Sequence, residues 1–239
     1  MKRILLPFFM CMTFIGSAFA QSGKADFNQV IPRPVVIAPL SNGSVINSTG
    51  GAVSSTAAAK DFVLSGSTVI RYDAANPQIV RNAKFLQQYI NDVTGIDVAI
   101  KPFDKPSAPG QKNYGIYKSH NKLQNAIVLR IHEGEHMHNG KDAKCNNDEG
   151  MCLSKNKEAY KILVTDKTIV IDGGSEAGVF YGIQTLRKAL PVAMAKSVAT
   201  SDNAKKSVGS YKSVTVPACQ ISDAPRFAWR GMMLDCSRH

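Results

Sequence analysis

The sequence predicts an α+β layer, a sheet of mixed or antiparallel strands with both of its helices packed on one face. Two stretches carry apolar residues at helical spacing, five short strand-like runs lie around them, and the order along the chain is strand, helix, strands, helix. The bulk composition agrees with a packed globular protein. Of 239 residues, 44% are hydrophobic and 20% charged, with 18 Gly and 11 Pro. That excludes a disordered, collagen-like or multi-span membrane chain.

The elements follow in order. Lys2 and Arg3 precede an apolar run that Pro7 and Gly16 interrupt and that ends in Ala18-Phe19-Ala20. This is the layout of a secretory signal peptide, so residues 1–20 are expected to be removed. An exported protein, periplasmic or secreted, with no membrane span after cleavage, is the resulting expectation. Residues 21–61 are rich in Ser, Gly, Asn, Pro and Ala and read as an extended, mostly irregular lead-in, with one extended element at 29–35. A β-branched strand at 68–72 precedes Asn76-Pro77, an N-cap and first-turn pair. Ile79, Ala83, Leu86, Ile90 and Val93 then form one helical stripe, which Gly95 ends. Strands are expected at 97–101, 126–131, 160–164 and 168–171, the last two joined as a hairpin through Thr165-Asp166-Lys167. Gly173-Gly174-Ser175 opens the second helix, whose stripe is Val179, Ile183, Leu186 and Leu190 and which Pro191 stops. Residues 192–213 are polar and Lys- and Ser-rich, an exposed connection that leads into Val214-Thr215-Val216-Pro217.

Charge and cysteine content bound the partners. The 29 Lys and Arg outnumber the 18 Asp and Glu, a formal net charge of +11. A balance of that sign suits nucleic acid, a membrane surface or an acidic polymer. The cations are scattered, however, and are not interleaved with aromatics on one face, so a solvated exterior and no nucleic-acid partner are expected. Export places Cys145, Cys152, Cys219 and Cys236 in an oxidising compartment. Cys145 and Cys152 flank a short polar loop and are expected to close it as a local disulfide. The spacing holds no C-x-x-C element, which disfavours redox or zinc chemistry, and no cofactor is expected.

Residues 221–239 read I-S-D-A-P-R-F-A-W-R-G-M-M-L-D-C-S-R-H. This run closely resembles the opening of the catalytic barrel in glycoside hydrolase family 20, the exo-β-N-acetylhexosaminidases, whose pattern is I-x-D-x-P-R-F-x-W-R-G-x-x-L-D-x-S-R-H-F. The helix at 181–187 followed by Leu190-Pro191 is similar to the end of that family's non-catalytic N-terminal α+β domain. With the resemblance, the chain is expected to have five parts: the signal peptide 1–20, lead-in 21–61 and connection 192–216 read from the residues, and, as the resemblance implies, a non-catalytic α+β domain 62–191 and the truncated start of a (β/α)8 barrel at 217–239.

The resemblance also implies an activity. Family members hydrolyse terminal β-linked N-acetylhexosamine with retention, using the substrate's own 2-acetamido oxygen as nucleophile, an exception among glycosidases. An Asp orients the acetamido group and the adjacent Glu serves as acid and base. That pair lies on a later barrel strand and is not among these 239 residues. Asp148-Glu149 sits between two cysteines of the first domain without the family's surrounding pattern. The chain is therefore expected to be a fragment, inactive alone, of an enzyme that acts on N-acetylhexosamine-terminated glycans. Arg230 matches an arginine that holds the terminal sugar's hydroxyls, a task that suits a guanidinium's fixed fork of donors. The bland alternative is that Arg230 pairs with an acid of the barrel. Asp235, Arg238 and His239 match the pattern and read as barrel-end packing, and Trp229 as packing between domains.

Three other strings imitate sites. His132-Glu133-Gly134-Glu135-His136 spells the zinc-protease pattern H-E-x-x-H, but it follows a strand, has Gly at its centre and leads into Asn139-Gly140. The chemistry requires both histidines on one helix face, so no metal site is expected there, beyond adventitious binding by His132, His136 and His138. Gly173-Gly174-Ser175-Glu176-Ala177-Gly178 has the wrong glycine order for a dinucleotide loop and reads as a tight strand-to-helix turn. The sequons at Asn42 and Asn47 matter only in a host that glycosylates. The alternative to an enzyme fragment is a non-enzymatic secreted module that binds a glycan or a protein through residues 62–191.

Overall fold

The structure, a computed structural model, describes residues 22–40, 59–103, 123–132, 152–153, 155–193, 210–227, 229–231 and 233. The signal-peptide segment, the sequons and Cys145 lie outside the described residues. In chain order the elements are β1 (Ser22–Lys24), a 3-10 turn (Phe27–Gln29), β2 (Val36–Pro39), β3 (Phe62–Ser65), β4 (Val69–Tyr72), α1 (Pro77–Thr94) and β5 (Ala99–Pro102). They continue as β6 (Ala126–Ile131), β7 (Tyr160–Val164), β8 (Thr168–Gly173), α2 (Glu176–Ala189), β9 (Ser213–Val216) and β10 (Cys219–Asp223).

Among the described residues, seven strands form the main sheet in the order β2-β10-β7-β8-β6-β4-β5. It is mixed. The β4–β5, β4–β6 and β6–β8 pairs are parallel, and β7–β8, β7–β10 and β2–β10 are antiparallel. The two-residue period of the strands decides which side chains meet the helices. Ile127, Leu129, Ile162, Val164, Ile169 and Ile171 lie in one cluster with Ile79, Leu86, Ile90, Val179, Ile183 and Leu186 of the helices. The alternate positions Val128, Leu163 and Val170 join Phe103 and Leu123 in a separate cluster. Both helices therefore share one face, and each fully buried Leu or Ile there is worth roughly 1.5–3 kcal/mol of transfer free energy.

Helix termini follow the capping chemistry in the sequence. Asn76 Oδ1 accepts from the backbone N–H groups of Gln78 at 2.9 Å and Ile79 at 3.2 Å, and Pro77 occupies the position where its missing N–H costs nothing. Gly95 ends α1 at φ 70°, a conformation that favours glycine, and donates to the Asn91 carbonyl at 2.7 Å. Ser175 caps α2 through Ala177 N–H at 3.2 Å. The two helix starts are tied together. Asn76 Nδ2 donates to Glu176 Oε1 at 2.7 Å, and Asn82 Nδ2 donates to the Glu176 carbonyl at 3.0 Å.

Three features depart from the sequence reading. The described start of the lead-in is packed on the domain: Ala25, Phe27 and Val30 are buried, and Asp26 N–H donates to Ala189 O at 2.9 Å while Lys188 Nζ donates to Ile31 O at 2.7 Å. It covers the end of α2, where the helix leaves carbonyls without partners of its own. The extended element falls at Val36–Pro39 rather than 29–35, beyond the two prolines, which cannot donate to a ladder. A second sheet, β1-β9-β3, was not legible, and β10 belongs to the main sheet. Cys219–Asp223 is bonded on both sides, to β7 and to β2, so residues that the sequence reading places in the barrel start at 217–239 contribute a strand to the main sheet, beyond the 62–191 bounds.

Candidate functional site

The residue that the sequence singles out, Arg230, stands at the place where the chain leaves the sheet domain, and it is engaged there. Its Nη2 donates to Glu158 Oε1 at 2.6 Å and its Nη1 to Glu158 Oε2 at 3.3 Å, a two-point fork. Nη2 also meets the Tyr181 hydroxyl at 3.2 Å, Nη1 also donates to the Phe227 carbonyl, and the guanidinium carbon lies 5.9 Å from the Tyr181 ring centroid. Tyr181 in turn donates to Glu158 Oε1 at 3.1 Å. The ion pair is partly exposed, with the Arg230 and Glu158 side chains 38% and 34% accessible. The hydrogen bond from Arg230, more than any other influence, holds the Glu158 carboxyl below its ordinary range, and the same contact raises Arg230.

Glycines explain how Glu158 arrives there. The 155–159 segment bends through Asn156, whose Oδ1 accepts the Glu158 N–H at 2.9 Å, and it packs tightly on the start of α2. A Cβ on Gly174 would lie 2.1 Å from Asn156 O, and one on Gly178 2.3 Å from Ala159 O. The Gly-rich string thus serves close backbone approach between this segment and the strand-to-helix corner. Tyr181 follows on the first turns of α2 and reaches back over the segment. Glu158 carries no sequence signal of its own, and Tyr181 stands in the 181–187 stretch without any sign that it meets Arg230, because each contact crosses a long stretch of chain.

A second polar cluster stands on the sheet face opposite the helices. Arg130 and Asp172 are register partners on β6 and β8, and Arg130 Nε and Nη2 bind both carboxylate oxygens. Lys161 on β7 is the register partner of Asp172 on its other side. His132 donates its backbone N–H to Gly173 O at 2.7 Å, so the H-E-x-x-H string begins on an extended ladder and not on a helix. Burial lowers the His132 pKa; Asp172 opposes that shift, and Lys161 and Arg130 add to it. Positions 133–138 lie outside the described residues. Among the described residues no group of three or more His, Cys, Asp and Glu could hold a metal ion, and no helix is long and apolar enough to cross a membrane.

The remaining candidates sort as follows. Cys152 is disulfide-bonded, and its partner lies outside the described residues. Cys219 is a buried free thiol that burial pushes up to about 12. Asp223, the third residue of the 221–239 motif, serves the domain itself. Its Oδ2 accepts the Tyr160 hydroxyl at 2.9 Å and its Oδ1 accepts Val35 N–H at 3.2 Å, while the Tyr160 hydroxyl meets Thr185 Oγ1 at 2.6 Å. Burial drives the Tyr160 phenol well above its usual range, so it stays a neutral donor. Trp229 is 89% exposed. Asp235, Arg238 and His239 lie outside the described residues.

Comparison with known proteins gives a consistent picture. Residues 52–224 match the family described as Glycosyl hydrolase family 20, domain 2. The chain is 25% identical over 210 residues to a beta-N-acetylhexosaminidase of Cellulomonas fimi, a match that covers 88% of this chain and 29% of that protein. It is 36% identical over 87 residues to a beta-hexosaminidase of Porphyromonas gingivalis, covering 36% of this chain and 10% of that one. In fold it is similar to the N-acetyl-beta-hexosaminidase of Streptomyces plicatus in complex with Thio-NAglucal. The TM-score is 0.53 at 22% identity, over 89% of this chain and 29% of the other. The Streptomyces coelicolor A3(2) enzyme gives the same TM-score, 0.53, over 90% of this chain and 30% of its own. The chain thus spans less than a third of the length of the Cellulomonas and Streptomyces proteins.

Proposed function

Because the chain belongs to glycosyl hydrolase family 20, with residues 52–224 as its domain 2, we propose that it is the non-catalytic α+β domain, with the first residues of the catalytic barrel, of an exported β-N-acetylhexosaminidase. The observation that carries this is continuity. The sheet domain ends at Asp223, inside the same short motif that opens the family's barrel, so domain and motif are joined with no linker between them. The whole enzyme would remove terminal β-linked N-acetylhexosamine from glycans, with the substrate's acetamido oxygen as nucleophile and an Asp-Glu pair supplied from outside these residues. The signal-like residues 1–20 support export to the periplasm or medium.

In this reading the 239-residue chain does not hydrolyse glycosides by itself. A barrel of this type needs about 250 residues, and its charge-stabilising groups come from the ends of several strands. The test compares two products on a chromogenic N-acetylglucosaminide: the 239-residue chain and a product of the same gene that extends beyond His239. Turnover only by the longer product is expected. Turnover by the shorter one overturns the claim of inactivity, and an inactive, folded longer product containing an Asp-Glu pair overturns the hexosaminidase reading.

A further inference from the structure

We propose that Glu158 and Tyr181 are positioning residues that clamp Arg230, so that the chain leaves the sheet domain at one fixed point and in one direction. The clamp is polar because burial does not hold this run: Phe227, Trp229 and Met233 are 66%, 89% and 94% exposed. What orders it is the guanidinium. Its planar donor fork meets both oxygens of one carboxylate, which fixes direction as well as distance. Two elements supply the partners, the turn before β7 and the first turns of α2, so two points of the domain define the orientation of Arg230. The partners are themselves held. Glu158 is aimed by the Asn156 turn, Asn156 N–H is anchored to Cys152 O at 2.8 Å, and the Tyr181 hydroxyl donates to Glu158. Phe227 O closes the run back onto the same guanidinium.

With Nη1 and Nη2 turned to Glu158, Tyr181 and Phe227, Arg230 is placed to orient the run that follows. That the run so oriented is the first barrel strand rests on the function proposed above; the clamp itself does not.

Trp229, next to Arg230 and the only tryptophan, is a built-in reporter. In the intact chain its fluorescence should depolarise with the tumbling of the whole domain. In Glu158→Gln, which keeps the shape and removes the charge, a nanosecond local motion should appear and the steady-state anisotropy should be roughly halved. Tryptic cleavage after Arg230 should accelerate about threefold to fivefold in the same variant. The charge-swapped pair E158R with R230E should restore the slow depolarisation that each single change loses. Arg230→Gln, placed in the exposed run, breaks the clamp from the other side and decides the matter if Glu158→Gln does not fold. Equal anisotropy in the intact chain and in either glutamine variant, or no restoration by the swap, overturns the proposal. None of these readings uses substrate. A failed clamp therefore leaves the hexosaminidase reading standing, and an inactive longer product leaves the clamp standing.

Discussion

Phe62 and Phe227 are the same residue in opposite circumstances. Phe62 opens β3 and is 1% exposed in the main cluster, while Phe227 follows β10 by four residues and is 66% exposed. The contrast extends to their surroundings. Among the described residues between Phe62 and Asp223 most large apolar side chains are buried, Val63, Phe85 and Val192 excepted; beyond Asp223, Phe227, Trp229 and Met233 are all exposed. Yet the second region carries the more specific sequence pattern. Recognisability and self-sufficiency are separate properties: a motif records what a segment does among its eventual neighbours, whereas burial records what this chain supplies.

The largest test of that contrast truncates both residues. Phe62→Ala should lower stability in urea by about 3–5 kcal/mol, the cost of a large core deletion, and Phe227→Ala should change it by no more than about 0.5 kcal/mol. Similar losses at the two sites would erase the distinction. A smaller effect is expected inside the domain at Asn76→Ala, which removes a cap and the tie to Glu176. A loss of about 0.5–2 kcal/mol is expected, read as a lower thermal midpoint with the anisotropy of Trp229 unchanged.

Acid should separate the regions most finely. His132 is held below 6.5 by burial, so the folded domain prefers it neutral while the unfolded chain takes a proton. Its contribution is present above 6.5 and is lost as pH falls through the lower folded value. Asp172, Lys161 and Arg130 all face this group. Glu158, opposite Arg230 and Tyr181, is held below 4.5, so the clamp is complete above 4.5 and loosens only as pH falls through its lower folded value. Acid titration should therefore lower domain stability first and Trp229 anisotropy second. The reverse order would show that the run is held by something other than the ion pair.

Legibility in the sequence followed the range of the interactions. Strands 126–131 and 160–164 and the caps at Asn76, Gly95 and Ser175 could be read because period and capping are local. β1, β3 and β9 are three or four residues long and pair only with one another, so no short window distinguishes them from loop. β10 was hidden for another reason. Its last three residues lie inside a motif that resembles a barrel's opening, and only pairing with β7 and β2 shows that they belong to the main sheet. At the site, Arg230 was legible from the Trp-Arg-Gly string, whereas its contacts with Glu158 and Tyr181, 72 and 49 positions away, leave no local pattern.

The pairings of β1 and β2 set a timetable. β1 lies beside β9, and β2 beside β10, so each sheet draws one strand from near the beginning of the described chain and its neighbour from near the end. A chain that emerges N-terminus first can form α1 and the β4–β5 and β4–β6 pairs early, because those contacts are comparatively local. It cannot close either sheet until residues 213–223 have appeared. Loop closure over nearly the whole domain should come last, an order that delays the native fold until most of the domain has been synthesised.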